Sequence, residues 1–145
     1  MVGYFARFDP DPESDRFFVI GFPDIPWGIS QGESEEDGRN MALDLLRTVL
    51  SEYIRKGEEL PHPKVYRGAR FRLIVLPALD AAKVELYRAF QKSRMRKVDL
   101  ARALGIPKSN VDSLFSLNRK SRLDQIEAAF AALGKRMDIE IRNAA

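Results

Sequence analysis

Three residues constrain this chain more than any others: Ala101, Gly105 four positions later, and Val111 six beyond that. Where two short helices cross over a tight turn, the first needs a small side chain at the crossing. The turn needs a residue at ease in the left-handed backbone region, and the second helix needs a branched apolar side chain to close the shared core. The sequence meets these requirements in order, and Leu100, Leu104, Ile106 and Leu114 supply the rest of a small core. The spacing predicts a helix from Lys97 to Leu104, a break at Gly105, and a second helix opened by Pro107-Lys108-Ser109-Asn110 and ending near Ser116. This is a helix-turn-helix pattern.

Charge singles out the same region. Residues 1–82 hold 10 Lys or Arg against 14 Asp or Glu, net −4, whereas residues 83–145 hold 14 against 7, net +7. Residues 92–122 alone carry nine basic side chains and only Asp99 and Asp112 as acids. Such a block is the electrostatic footprint of a polyanion partner, because each phosphate neutralised releases counterions. Together with the helix pattern it points to operator DNA. The outward residues near the start of the second helix would face base edges: Lys108, Ser109, Asp112 and Ser113, with Asn110 and Ser116 beside them. Asp112 repels phosphate and accepts only from a cytosine or adenine amino group, so it restricts sequence more than it adds affinity. Arg94, Arg96, Lys97, Arg119, Lys120 and Arg122 flank the motif and suit phosphate contacts, which position a protein without specifying sequence.

Leu79, Ala82, Leu86, Ala89 and Phe90 recur at helical spacing and predict a helix ahead of the motif, ending near Ser93. Ile126, Ala129, Phe130 and Leu133 predict another after it, capped at Ser121 and ended by Gly134. Met137, Ile139 and Ile141 then alternate with Asp138, Glu140 and Arg142 as a strand does. A lone strand leaves its hydrogen bonds unmet. Pairing with the same strand of a second chain would satisfy them and duplicate the DNA-reading helix, so Met137, Ile139 and Ile141 are expected to hold a homodimer or higher even oligomer together. The other remedy is addition to a sheet of the same chain.

The acidic half predicts the order β-β-β-α-β. Tyr4 to Phe8 and Arg16 to Phe22 are aromatic and β-branched runs separated by an acidic, Pro-containing loop. Pro23-Asp24-Ile25-Pro26-Trp27-Gly28 ends the second strand, and a short third one runs from Gly28 to Gly32. Ser34 caps a helix whose first turn is acidic, and Met41, Leu45, Leu46, Val49, Leu50, Tyr53 and Ile54 form its apolar stripe. Gly38 inside that helix costs up to about 1 kcal/mol relative to alanine. Gly57 suits the left-handed cap, Pro61 and Pro63 prevent the helix resuming, and Arg70 to Leu76 gives a last strand. Trp27 is either a core cap or a partner anchor.

Catalysis finds no footing in these residues. Cysteine is absent, which excludes disulfide frameworks, Cys-containing zinc sites, iron–sulfur clusters and thiol nucleophiles. His62, the one histidine, lies between two prolines, so no Ser–His–carboxylate set can be built around it. No Gly-x-Gly occurs, which removes the dinucleotide fingerprint and the phosphate loop. Asp9, Asp11, Asp15 and Asp24 read as solvated loop carboxylates rather than a metal cluster. No enzyme activity, cofactor or metal is therefore expected. The longest run without a charged residue is Ile25 to Gly32, far short of the roughly 20 apolar residues of a spanning helix. With no signal-peptide pattern before Asp9 either, the expected location is the cytoplasm.

The whole pattern resembles the HicB antitoxin family of toxin–antitoxin systems, in its helix-turn-helix subtype. The resemblance rests on Arg16 to Phe22, Phe22-Pro23-Asp24-Ile25-Pro26-Trp27-Gly28 and Gln31-Gly32-Glu33-Ser34 in the first half. In the second it rests on Asp99-Leu100-Ala101-Arg102-Ala103-Leu104-Gly105, Ser121 to Phe130 and Leu133-Gly134-Lys135-Arg136. It implies an N-terminal module resembling a partial RNase H fold, usually without that fold's metal-binding carboxylates. It also implies a partner, a small basic mRNA-cleaving HicA-like toxin, and repression of the antitoxin's own operon. Carried over onto this chain, toxin contact would fall on Pro23, Asp24, Ile25, Pro26 and Trp27, with Trp27-Gly28 standing where the family usually has Gly-Cys.

The expectation is thus an α+β chain. Residues 1–78 form a toxin-binding domain, and residues 79–145 a helix-turn-helix DNA-binding domain with a C-terminal dimerisation strand. The alternative is a repressor that responds to a small ligand and has no toxin partner.

Overall fold

A computed structural model describes residues 1–144. The order is β1 (Gly3–Pro10), β2 (Phe18–Phe22), β3 (Ile25–Gly32), α1 (Glu35–Lys56), β4 (Phe71–Val75), α2 (Ala78–Ser93), α3 (Lys97–Leu104), α4 (Lys108–Phe115) and α5 (Leu123–Ala132). This is an α+β chain in two compact units, Met1–Ala81 and Ala82–Ala145. No helix of the described residues is long and apolar enough to cross a membrane.

In the first unit, alternation in β1 sends Tyr4, Ala6 and Phe8 to one face of an antiparallel sheet ordered β3-β2-β1-β4. Register keeps the apolar set together: Phe8 lies opposite Ile20, and Tyr4 opposite Ile74. Helix α1 covers this face with Ala42, Leu46, Val49 and Leu50. Ser34 caps it as expected, its hydroxyl accepting from Asp37 N at 3.1 Å, and Gly57 closes it at φ 71°. Met41, expected in the apolar stripe, is exposed, and Gly38 and Ala42 take the buried face instead.

The reason is close approach. A Cβ on Gly32 would lie 2.4 Å from the Cα of Gly38, and one on Gly38 would lie 2.6 Å from Cε2 of Phe8. Only a glycine pair lets the start of α1 sit this near β3, and that contact rotates Met41 outward. β3 begins three residues earlier than the sequence suggested, because Pro26 is tolerated on an edge strand where no partner needs its amide.

The segment after α1 is tied down at several points. Tyr4 donates its hydroxyl to the Pro61 carbonyl at 2.5 Å, and Leu60 is buried. Asp24 accepts from Lys64 N at 2.9 Å and from the Tyr66 hydroxyl at 2.7 Å; that bond raises the Tyr66 pKa. The Tyr66 ring stacks on Phe71 and meets Phe5 edge-on, which partly covers the sheet face away from α1.

Glu35 joins α1 to β4 by accepting from Arg72 at 2.7 Å, with Arg39 at 3.0 Å from the same helix. The Arg72 hydrogen bond outweighs a small desolvation, and with help from Arg39 holds the Glu35 carboxyl below its ordinary range. A carboxylate with a depressed folded-state pKa contributes stability that is present above its unfolded pKa and lost as pH falls through its folded one. Glu35→Gln should therefore lower stability at neutral pH, by a modest amount because Glu35 is about half exposed, and converge on the unsubstituted protein in acid, which flattens the acid limb of the stability curve. Denaturant midpoints measured across the acid range check this. An identical acid limb in the variant would show that the pair contributes nothing.

Candidate nucleic-acid interface

The second unit realises the spacing argument residue by residue. Ala101 is buried where α3 meets α4. Gly105 takes φ 65°, and the Ile106 amide donates back to the Ala101 carbonyl at 3.0 Å, closing α3 with a left-handed cap. Val111, Leu114 and Phe115 of α4 are buried together with Leu100, and Phe115 packs against Tyr87 and Phe90 of α2. With the apolar face of α4 committed inward, Lys108, Ser109, Asn110 and Asp112 are left exposed, and Ser113 and Ser116 half-buried.

The flanking charges divide into two sets. Arg96 is held by Asp99, with two side-chain contacts of 3.1 Å, and Asp99 also accepts from the Arg96 amide. The arginine lowers the Asp99 pKa and the aspartate raises that of Arg96. Lys97 reaches Asp112 at 2.5 Å, and Arg122 reaches Asp124 at 3.2 Å. Arg94, Lys108, Arg119 and Lys120 are exposed and have no ion pair among the described residues. They are the cations most available to a phosphate. Arg119 and Lys120, with Asn110, Ser113 and Gln125, line a cleft of about 340 Å³ between α4 and α5. The Lys97–Asp112 pair alters the sequence-based picture of Asp112: its carboxylate is partnered by a cation of the neighbouring helix.

Several expected details are corrected. α5 is capped at Arg122 and not Ser121, with Gln125 reaching back to accept from the Arg122 amide at 3.2 Å. Residues 135–144 carry no helix or strand, and the sheet of the first unit has no strand from this end of the chain. Met137 is half-buried, Ile139 and Ile141 are exposed, and the alternating segment has no ladder partner among the described residues. In the first unit, Ile25 of the proposed partner loop is core at 3% exposure, and Asp24 is occupied with Tyr66 and Lys64. Pro23, Pro26 and Trp27 remain at the surface, Trp27 stacked on Tyr53 at 5.9 Å. Asp9 pairs with Arg7 and Arg70, and Asp11 accepts from Glu13 N and Gln31.

One residue of the basic unit escaped the sequence reading. Lys83 is fully buried on α2, yet it looks like any surface lysine of a helix. Its position held the clue: it falls between Leu79 and Leu86 on the apolar stripe, where a charge needs a built partner.

Comparison with known proteins converges on one family. Residues 3–85 match the model of the HicB-like antitoxins of bacterial toxin–antitoxin systems. The chain is 32% identical over 136 residues to Antitoxin HicB of Escherichia coli K12, covering 94% of this chain and 96% of that protein. It is 29% identical to Antitoxin HicB 1 of Photorhabdus laumondii over 90% of this chain and 83% of that one. Antitoxin HicB of Pseudomonas fluorescens is 31% identical, over 83% of each chain. The matched relatives span both units, so the acidic sheet module and the helical unit travel together, and this chain belongs to the HicB-like antitoxin family of bacterial toxin–antitoxin systems.

Proposed function

We propose that this antitoxin neutralises a small, basic, HicA-like mRNA-cleaving toxin through residues 1–78. We further propose that it represses its own operon by binding operator DNA through residues 79–145. The observation that carries the DNA half is a group of exposed cations with no ion pair among the described residues, Lys108, Arg119 and Lys120, beside the exposed polar face of α4 on a well-formed helix-turn-helix core. Lys108, Ser109, Asn110, Ser113 and Ser116 would read or approach base edges, while Arg119 and Lys120 take phosphate. The toxin half is supported by the net −4 of the acidic half, which complements a basic partner. Pro23, Pro26 and Trp27 are the members of the partner loop open to contact. A two-fold operator requires two copies, and the segment bearing Met137, Ile139 and Ile141 gains its missing ladder by pairing between chains.

Native mass spectrometry of the protein, purified with its neighbouring genes intact, tests this directly. The expected species holds a stoichiometric small basic companion and an even number of copies of this chain. Recovery of the chain alone, as a dimer with at most a small molecule bound, would overturn the toxin reading.

A further inference from the structure

The buried Lys83 is engaged with the main chain just where the DNA surface is built. Its ammonium donates to the carbonyl of Ser113 at 3.0 Å, to that of Ser116 at 2.8 Å, and to that of Arg119. Ser113 lies in the last turn of α4, and Ser116 is its C-cap. Arg119 closes the turn that follows, its amide donating to the Ser116 carbonyl at 3.3 Å. All three residues have side chains among the candidate DNA contacts, and one buried cation gathers their backbones from behind.

The chemistry on each side calls for the other. The end of a helix leaves carbonyls without intrahelical partners and concentrates partial negative charge, which favours a cation there. A desolvated ammonium needs its three N–H donors engaged, and three convergent carbonyls do so. A guanidinium has a planar, diverging fork that does not fit this arrangement. An ordinary helix end is capped from within its own chain segment. Here the capping charge comes from α2, thirty residues earlier.

We propose that Lys83 is a positioning residue for DNA contact. It sets the C-terminal end of α4 and the direction in which Arg119 and Lys120 leave the turn. The proposal rests on the DNA reading above, and goes beyond it by naming a residue that touches no DNA.

The test compares the full-length protein with Lys83→Met, which keeps the aliphatic stem without a donor, and Lys83→Gln, which keeps two donors without the charge. The probes are a duplex of the DNA immediately upstream of the gene and an unrelated duplex of equal length. Amide hydrogen exchange is followed on the free proteins. The expected result for Lys83→Met is faster exchange confined to residues 113–120, with roughly tenfold weaker upstream-duplex binding and a salt slope smaller by about one. Lys83→Gln should fall between it and the unsubstituted protein. A purely structural role would lower the melting temperature without changing the salt slope where the variant is still folded. That outcome, or unchanged exchange at residues 113–120, would overturn the proposal. If neither variant folds, the unsubstituted protein decides: a slowly exchanging Lys83 ammonium resonance that persists on the upstream duplex supports the proposal, and its absence overturns it. Failure of the unsubstituted protein to prefer the upstream duplex would instead overturn the DNA reading, and the role of Lys83 with it.

Discussion

Charge reversal at Lys108 and Arg119 together is expected to weaken upstream-duplex binding on the order of a thousandfold at moderate salt, while toxin capture stays intact. Each reversal removes a cation that no carboxylate of the described residues neutralises, and sets a like charge against the phosphate backbone, at a cost of several kcal/mol in total. The salt dependence should fall in step, because fewer counterions are released. Reversal of Arg96 or Arg122 is the informative control. Those arginines already share their charge with Asp99 and Asp124, and their loss should matter less. Gel-shift titrations at two salt concentrations, with a toxin pull-down in parallel, read all of this. Undiminished duplex binding by the double variant would remove α4 and its following turn from the DNA surface. Simultaneous loss of toxin capture would show that the two activities are not separable.

The second large effect is one of stability, and its sign is opposite to what helix propensity gives. Gly38→Ala in an exposed helix would stabilise by about 1 kcal/mol. Here the added methyl meets the buried Phe8 ring at 2.6 Å, so a net destabilisation is expected. Gly32→Val should be worse, since its Cβ would fall 2.4 Å from backbone of α1 that moves only if the helix lifts off the sheet. Overpacking of this kind costs about 1–3 kcal/mol, and more where backbone must shift. Chemical denaturation should show lower midpoints for both variants, and toxin capture should be lost before DNA binding is. A raised midpoint for Gly38→Ala would mean that the helix and strand are less closely packed than described. By contrast, Gly57, Gly105 and Gly134 have open space around them and are needed for their positive φ alone.

Much of this architecture was legible because the informative residues act locally. Ser34, Gly57, Gly105 and the α3 and α4 boundaries follow from caps, breakers and helical periodicity, each of which works within a few residues of itself. What the sequence hid depends on contacts between distant segments. The apolar stripe of α1 was placed one step wrong at Met41, because the contact between Gly32 and Gly38 chooses which side of the helix meets the sheet. Lys97 and Asp112 read as separate surface charges until the two helices brought them together. Asp24 read as part of a partner loop, and its hydrogen bonds to residues some forty positions away could not be seen. The pattern from Met137 to Ile141 was legible as alternation, but alternation says nothing about where a ladder partner comes from.

The stack of Trp27 on Tyr53 has a practical consequence. Trp27 is the one tryptophan of the chain, 42% exposed, and it belongs wholly to the acidic unit. The protein thus carries an intrinsic optical reporter on the surface proposed above to meet a protein partner. A companion that covers the indole shifts its emission to shorter wavelength, one that docks elsewhere leaves the spectrum alone, and the encounter can be followed in real time without attaching a dye.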